Sequence, residues 1–141
     1  MATFNKFNSF VEHLAEKVHD LQNDTLKVAL TNSAPVATNT VLADITQISG
    51  TNGYTTGGTA TTVSSSAQTS GTYKLVITDV TFTASGGSIG TFQYVVLYND
   101  TPTSPADPLI GWWDYGTTVS ITNGNSFTVD FDGTNGVLTI A

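Results

Sequence analysis

The chain contains no cysteine and no arginine. Without cysteine there is no disulfide framework, no thiolate zinc site and no thiol nucleophile. The basic residues are four lysines, Lys6, Lys17, Lys27 and Lys74, dispersed among 11 acidic residues for a formal net charge of −7. Phosphate recognition needs clustered cations, so direct nucleic-acid binding is not expected. The same acidity disfavours anionic membranes and suits solubility or docking on a basic protein surface. No run approaches the roughly 18 apolar residues of a membrane span. The opening Met1-Ala-Thr-Phe-Asn-Lys6 lacks the apolar core of a signal peptide. The expectation is synthesis in a cytoplasm, or arrival elsewhere as part of something larger.

What is present is β-forming material. The 141 residues make one domain's worth of chain, 39% hydrophobic and only 11% charged. Apolar runs recur throughout, which separates it from a disordered acidic polymer. Much of its Thr and Ser content is accounted for by β-propensity. The longest strand signal is Gly90-Thr-Phe-Gln-Tyr-Val-Val-Leu-Tyr-Asn-Asp100. Strict alternation places Phe92, Tyr94, Val96 and Tyr98 on one face, Val95 and Leu97 on the other. Apolar residues on both faces predict a strand in the middle of a sheet, covered on both sides.

Ahead of it, Phe4, Phe7, Val11, Leu14, Val18 and Leu21 are spaced 3, 4, 3, 4, 3, the pattern of an amphipathic helix over residues 3–21. Thr3 is a candidate cap, and Phe10 and Ala15 widen the stripe. Glu12, Glu16 and Asp20 form a like-charged i, i+4 row, so the helix depends on tertiary or partner contacts. Its stripe packs either on its own domain or on a partner.

The β-domain is expected over residues 26–141. Leu26–Asn32 alternates as a strand with Leu26, Val28 and Leu30 on one face. Val41–Ile48 is ambiguous between helix and strand. Ser49–Gly58 reads as a glycine-rich loop, Thr59–Ser65 as a weak edge strand and Ser64–Gly71 as a polar loop. Thr72–Thr78 and Val80–Ala84 are strand material, either two strands or one with a bulge at Asp79. Thr101–Pro108 holds three of the four prolines and reads as a stiff exposed protrusion. Leu109–Tyr115, Thr117–Ile121, Ser126–Phe131 and Val137–Ile140 complete the set. Asn123-Gly124 signals a hairpin turn, and the last strand pairs most simply with Phe127–Phe131. One helix followed by about eight short strands predicts an antiparallel β-sandwich in a single domain, 1–141; a jelly roll is one topology of that class.

No catalytic constellation assembles from these residues, and no cofactor is expected. His13 and His19, six apart on a continuous helix, would lie on different faces and share no ligand. Asp130 and Asp132 are read as a solvated strand face rather than an acid–base pair. The Asp130-x-Asp132-Gly-Thr-Asn-Gly136 run fails the EF-hand spacing. The glycines of 50–58 lack the Lys-Ser/Thr of a phosphate loop. Trp112 and Trp113 must face opposite ways on a strand. One belongs to a core. The other, sharing a face with Tyr115, is either a platform for a sugar or protein or is covered by the N-terminal helix or a neighbouring subunit.

Five stretches carry a resemblance: Phe4-Asn-Lys-Phe-Asn-Ser-Phe10, Leu26–Pro35, Ala43-Asp-Ile45, Asn52-Gly-Tyr-Thr-Thr-Gly-Gly58, and Tyr98–Pro102 with Leu109-Ile-Gly-Trp-Trp113. Together they look like a group of small virion proteins of tailed bacteriophages. The resemblance implies a non-enzymatic structural role, and the size and acidity are similar to those of capsid decoration (cement) proteins. It implies residence in the virion, partnership with the major capsid protein or other virion proteins, and a homo-oligomer. The contacts expected to serve those partners are Phe4, Phe7, Phe10, Val11 and Leu14 of the helix, Pro102 and Pro105 of the loop, and Trp113. A tail, tail-tip or fibre component and a carbohydrate-binding module are the alternatives.

Overall fold

The computed structural model describes residues 2–141. It is mainly β, with antiparallel sheets and one short α-helix. A five-stranded sheet has the order β1-β8-β7-β2-β3, built from Asn5–Lys6 (β1), Leu109–Ile121 (β8), Ile89–Asn99 (β7), Leu26–Thr31 (β2) and Thr59–Ala60 (β3). Facing it are two smaller ribbons. One is Leu138–Ile140 (β10), Thr72–Ile77 (β5) and Val63–Thr69 (β4); the other is Val80–Thr83 (β6) with Ser126–Val129 (β9). The described residues form a β-sandwich of ten strands, two of them only two residues long.

β7 is the central strand, paired with β8 on one side and β2 on the other. Its inner side contributes Ile89, Phe92, Val95 and Leu97 to the main core, where Val28 and Leu30 of β2 meet Leu75, Ile77, Phe82 and Phe131 of the opposite layer. Its outer side contributes Val96 and Tyr98 to a second cluster with Ala29, Leu109, Phe7, Leu42 and Ile45. Phe92 therefore lies on the opposite side from Val96 and Tyr98, against strict alternation. The pairing with β8 is irregular between Phe92 and Tyr94, and such an irregularity breaks the two-residue period locally.

The outer cover comes from the chain itself. A 3₁₀ turn at Leu42–Asp44 sets Leu42 and Ile45 over the sheet. Asp44 Oδ2 holds that turn by accepting from the Thr40 and Val41 N–H groups. Two tyrosines pin the glycine-rich loop from both sides of the sheet. Tyr54, buried inside, accepts from Leu30 N–H and donates to Gln47; Tyr98, buried outside, donates to the Gly57 carbonyl at 2.6 Å. Burial pushes the Tyr54 hydroxyl up to about 12.

Several expectations are corrected. The helix spans Ser9–Ala15 only, begins at Asn8 without a side-chain cap, and excludes Thr3. Phe4 precedes, and Asn5-Lys6 form, a strand paired with Gly111-Trp112. The chain leaves the helix through Lys17, whose φ of 64° ends the α conformation, and Asp20 caps the following turn by accepting from Gln22 and Asn23 N–H. The 3, 4, 3, 4 spacing survives, but its residues serve different surfaces. Ser64–Thr69 belongs to β4, hairpinned to β5 across Ser70-Gly71 rather than looped out. Thr72–Ile77 and Val80–Thr83 enter different ribbons, and Asp79 between them accepts from Phe131 N–H at 2.9 Å. The last strand pairs with β5, not β9. Asn123-Gly124 does turn the chain, but β8 and β9 leave for different layers.

Candidate functional site

Trp112 and Trp113 do face opposite sides of β8. Trp112 packs on the outer cluster against Phe7, ring centroids 4.5 Å apart. Trp113 turns to the inner edge, 5.3 Å from Phe4 and 5.4 Å from Phe131. Gly111 makes the Phe4 position possible: a Cβ there would collide with the Phe4 ring.

Phe4 forms a ridge between two grooves at the edge of the sandwich. The first, about 540 Å³, is floored by Trp113, Tyr115, Phe127 and Phe131 and rimmed by Asp130 and Asp132. The second, about 470 Å³, lies between Phe4, Phe10, Val11 and Leu14 on one side and Leu138–Ile140 on the other, with Lys6 at its border. Tyr115 reaches the first groove because β8 bulges. Between the Phe92↔Val119 and Tyr94↔Asp114 pairs, β7 advances two positions and β8 five. The extra residues include Gly116 at φ 90°, and the Asp114 carboxylate accepts from Gly116 N–H at 2.7 Å. Tyr115 then makes an edge contact with Phe127 at 5.5 Å and stays 53% exposed. Val11 at 52% and Ile140 at 39% are the exposed apolar residues of the second groove. Three of the four large exposed hydrophobics described thus lie along one ridge.

The residues expected to contact partners separate on this geometry. Phe4, Val11, Leu14 and Trp113 come together along the ridge. Phe7 and Phe10 are 0% and 3% exposed and belong to the two cores, so the chain's own sheets already occupy them. Pro102 and Pro105 line neither groove. Their loop closes on itself, Asp107 N–H donating to the Pro102 carbonyl and Thr103 bridging Ala106, while Thr101, Thr103, Ser104 and Ala106 stay exposed. Tyr115 was recognisable as Trp113's same-face neighbour. Phe127, Ile140 and Lys6 carried no local signal, because only the sheet pairing brings them to the ridge.

Asp130 and Asp132 lie beyond the end of β9, not on it. Asp132 is committed to its own turn, accepting from the Thr134 and Asn135 N–H groups and the Asn135 side chain. Those bonds, the Asn135 backbone first, hold its carboxyl below the usual range. Asp130 is exposed and accepts no hydrogen bond among the described residues.

The histidines form a second polar cluster, corrected from the sequence reading. Because the helix stops after Ala15, His19 folds back against His13, centroids 5.9 Å apart. It is 6% exposed. Asn99 Nδ2 donates to Asp24 at 2.6 Å and to His19 Nδ1 at 3.1 Å, while Asn99 Oδ1 accepts from Thr101 N–H. Those partners orient the amide, so His19 Nδ1 accepts and the ring proton sits on Nε2. Burial, then the neighbouring His13, pull the His19 pKa down to about 4 against a raising influence of Asp24. The cluster latches the N-terminal segment to the end of β7. No group of three or more metal-capable side chains gathers among the described residues.

Compared with known proteins, the chain matches no family model, no curated protein and no solved structure.

Proposed function

We propose that this chain is a non-enzymatic structural protein of a tailed-phage virion, a capsid decoration protein that braces the head through protein–protein contacts. The five stretches that resemble small virion proteins support the phage assignment. The observation that carries a contact role is the ridge at Phe4: two grooves with exposed Val11, Tyr115 and Ile140 beside half-buried Phe4 and Trp113. Contiguous apolar display of this kind marks interaction surfaces on small domains. Partners of this type are the major capsid protein, other virion proteins or further copies of the chain.

The deciding experiment adds purified protein to heads that lack it and images the particles by electron microscopy. Saturable, symmetric density on the head surface, with heads surviving a higher temperature, is the expected result. Density confined to the tail moves the assignment to a tail, tail-tip or fibre component. Absence from particles overturns the virion reading. A carbohydrate-binding role is the second reading, favoured by Tyr115 beside Trp113 with Asp130 at the rim. Glycan-array binding abolished by Trp113→Ala would establish it.

A further inference from the structure

We propose that the Trp113 groove receives a cationic side chain, lysine or arginine, from a partner protein. This inference rests on the Phe4 ridge being the contact surface, and it names the chemistry of what docks there. Trp113 and Tyr115 offer aromatic surface at the groove, and cations are attracted to aromatic ring faces. The charged residues lining this groove are Asp130 and Asp132, both acidic. The turn at Asp132 takes three of that carboxylate's acceptor positions, whereas Asp130 accepts no hydrogen bond among the described residues and is the more open acceptor. An aromatic floor with one free carboxylate at its edge matches the stem and head of lysine or arginine.

The alternatives fit less well. A sugar presents hydroxyls that need donors as well as acceptors, and the side-chain donors along the groove are few: the Trp113 indole and the Tyr115 and Thr128 hydroxyls, Thr128 being already paired with Thr81. A second copy would bring together two chains of net charge −7. Two of the four lysines are already engaged: Lys27 pairs with Asp100 at 3.0 Å and Lys74 donates to the Thr134 carbonyl at 2.8 Å.

Nuclear magnetic resonance on the full chain tests this directly. Three synthetic nonapeptides would be titrated, with the same apolar residues and with arginine, glutamine or glutamate at the variable positions. The arginine peptide is expected to shift the Trp113 indole and Tyr115 signals and leave Trp112, on the opposite side of β8, in place. Its affinity should fall several-fold between 50 and 200 mM salt. Asp130→Asn, at an exposed position without internal bonds, should weaken it about tenfold and flatten the salt dependence. Equal binding of the glutamine peptide overturns the inference, as does no binding of the arginine peptide. Movement of Trp113 by a neutral oligosaccharide alone, or by the chain's own concentration, assigns the groove to a glycan or a second copy and overturns it too. Absence of the chain from phage particles would defeat the virion reading and leave the peptide result standing.

Discussion

Two adjacent tryptophans meet two phenylalanines of the same N-terminal segment, with opposite outcomes. On the outer face of the sheet, Phe7 seats on Trp112 and is fully buried among Val96, Tyr98, Leu109 and Leu42. At the inner edge, Phe4 seats on Trp113, stays half-buried, and divides two open grooves. The pairs are similar in chemistry; what differs is the cover around them. The outer face has the 3₁₀ turn and its anchored loop to complete it. The inner edge has only short β10, the bulge at Tyr115 and a seven-residue helix. Sealed aromatic packing contributes stability, whereas the same packing left open offers a surface.

The largest test of that contrast is removal of residues 2–21. This takes away β1, Phe7, Phe10 and Leu21 together, and the expected product is unfolded or insoluble. A soluble remainder with native-like near-ultraviolet circular dichroism would show that the sheets are self-sufficient. Next is the pair itself. Phe7→Ala opens a cavity in a dry cluster and should cost about 3–5 kcal/mol. Phe4→Ala, at a partly solvated ridge, should cost about 1–2 kcal/mol, in line with partial burial. Equal losses in chemical denaturation would erase the distinction between sealed and open.

The His19 latch holds the segment that carries both phenylalanines, and it predicts a pH dependence. His19 is neutral in the fold with a pKa near 4, and in the unfolded chain it titrates at its ordinary 6.5. Above 6.5 neither state takes the proton, and the latch contributes fully. As pH falls from 6.5 to 4 the unfolded state binds a proton that the fold refuses, and stability drops. The loss is about 3 kcal/mol in total, with His13 and Asp24 beside the ring and Lys17, Asp20 and Tyr73 around the adjoining hollow. Comparing melting curves of the native chain and His19→Gln isolates it, since the carboxylates titrate in both. The stability difference between the two should shrink steadily across that window; parallel curves would rule the latch out. The smallest expected effect on stability is at Tyr115→Ala, within about 0.5 kcal/mol because the side chain is exposed. Binding at the groove should nonetheless weaken severalfold, measured on the same protein by peptide titration.

These differences also mark how far the chain could be read unaided. Leu26, Val28 and Leu30 were legible as one inward face because alternation is a local property of extended backbone. Opposite-facing Trp112 and Trp113 followed from the same rule. The helix was overextended because Phe4, Phe7, Val11 and Leu14 keep helical spacing while lying on a ridge, a sealed face and a short helix in turn. Spacing records which positions are apolar, not what each one meets.

The sequence by itself determined a mainly β sandwich, its central strand and a chain poor in cationic groups, since these depend on composition and short-range periodicity. Tertiary structure alone decided the pairing of β10 with β5, the meeting of His13 with His19, and the ridge at Phe4. Each joins segments through a turn or a sheet crossing, and such contacts leave no period in the chain. They arise because backbone hydrogen bonds must be completed and apolar faces covered by whichever segments the connections bring within reach.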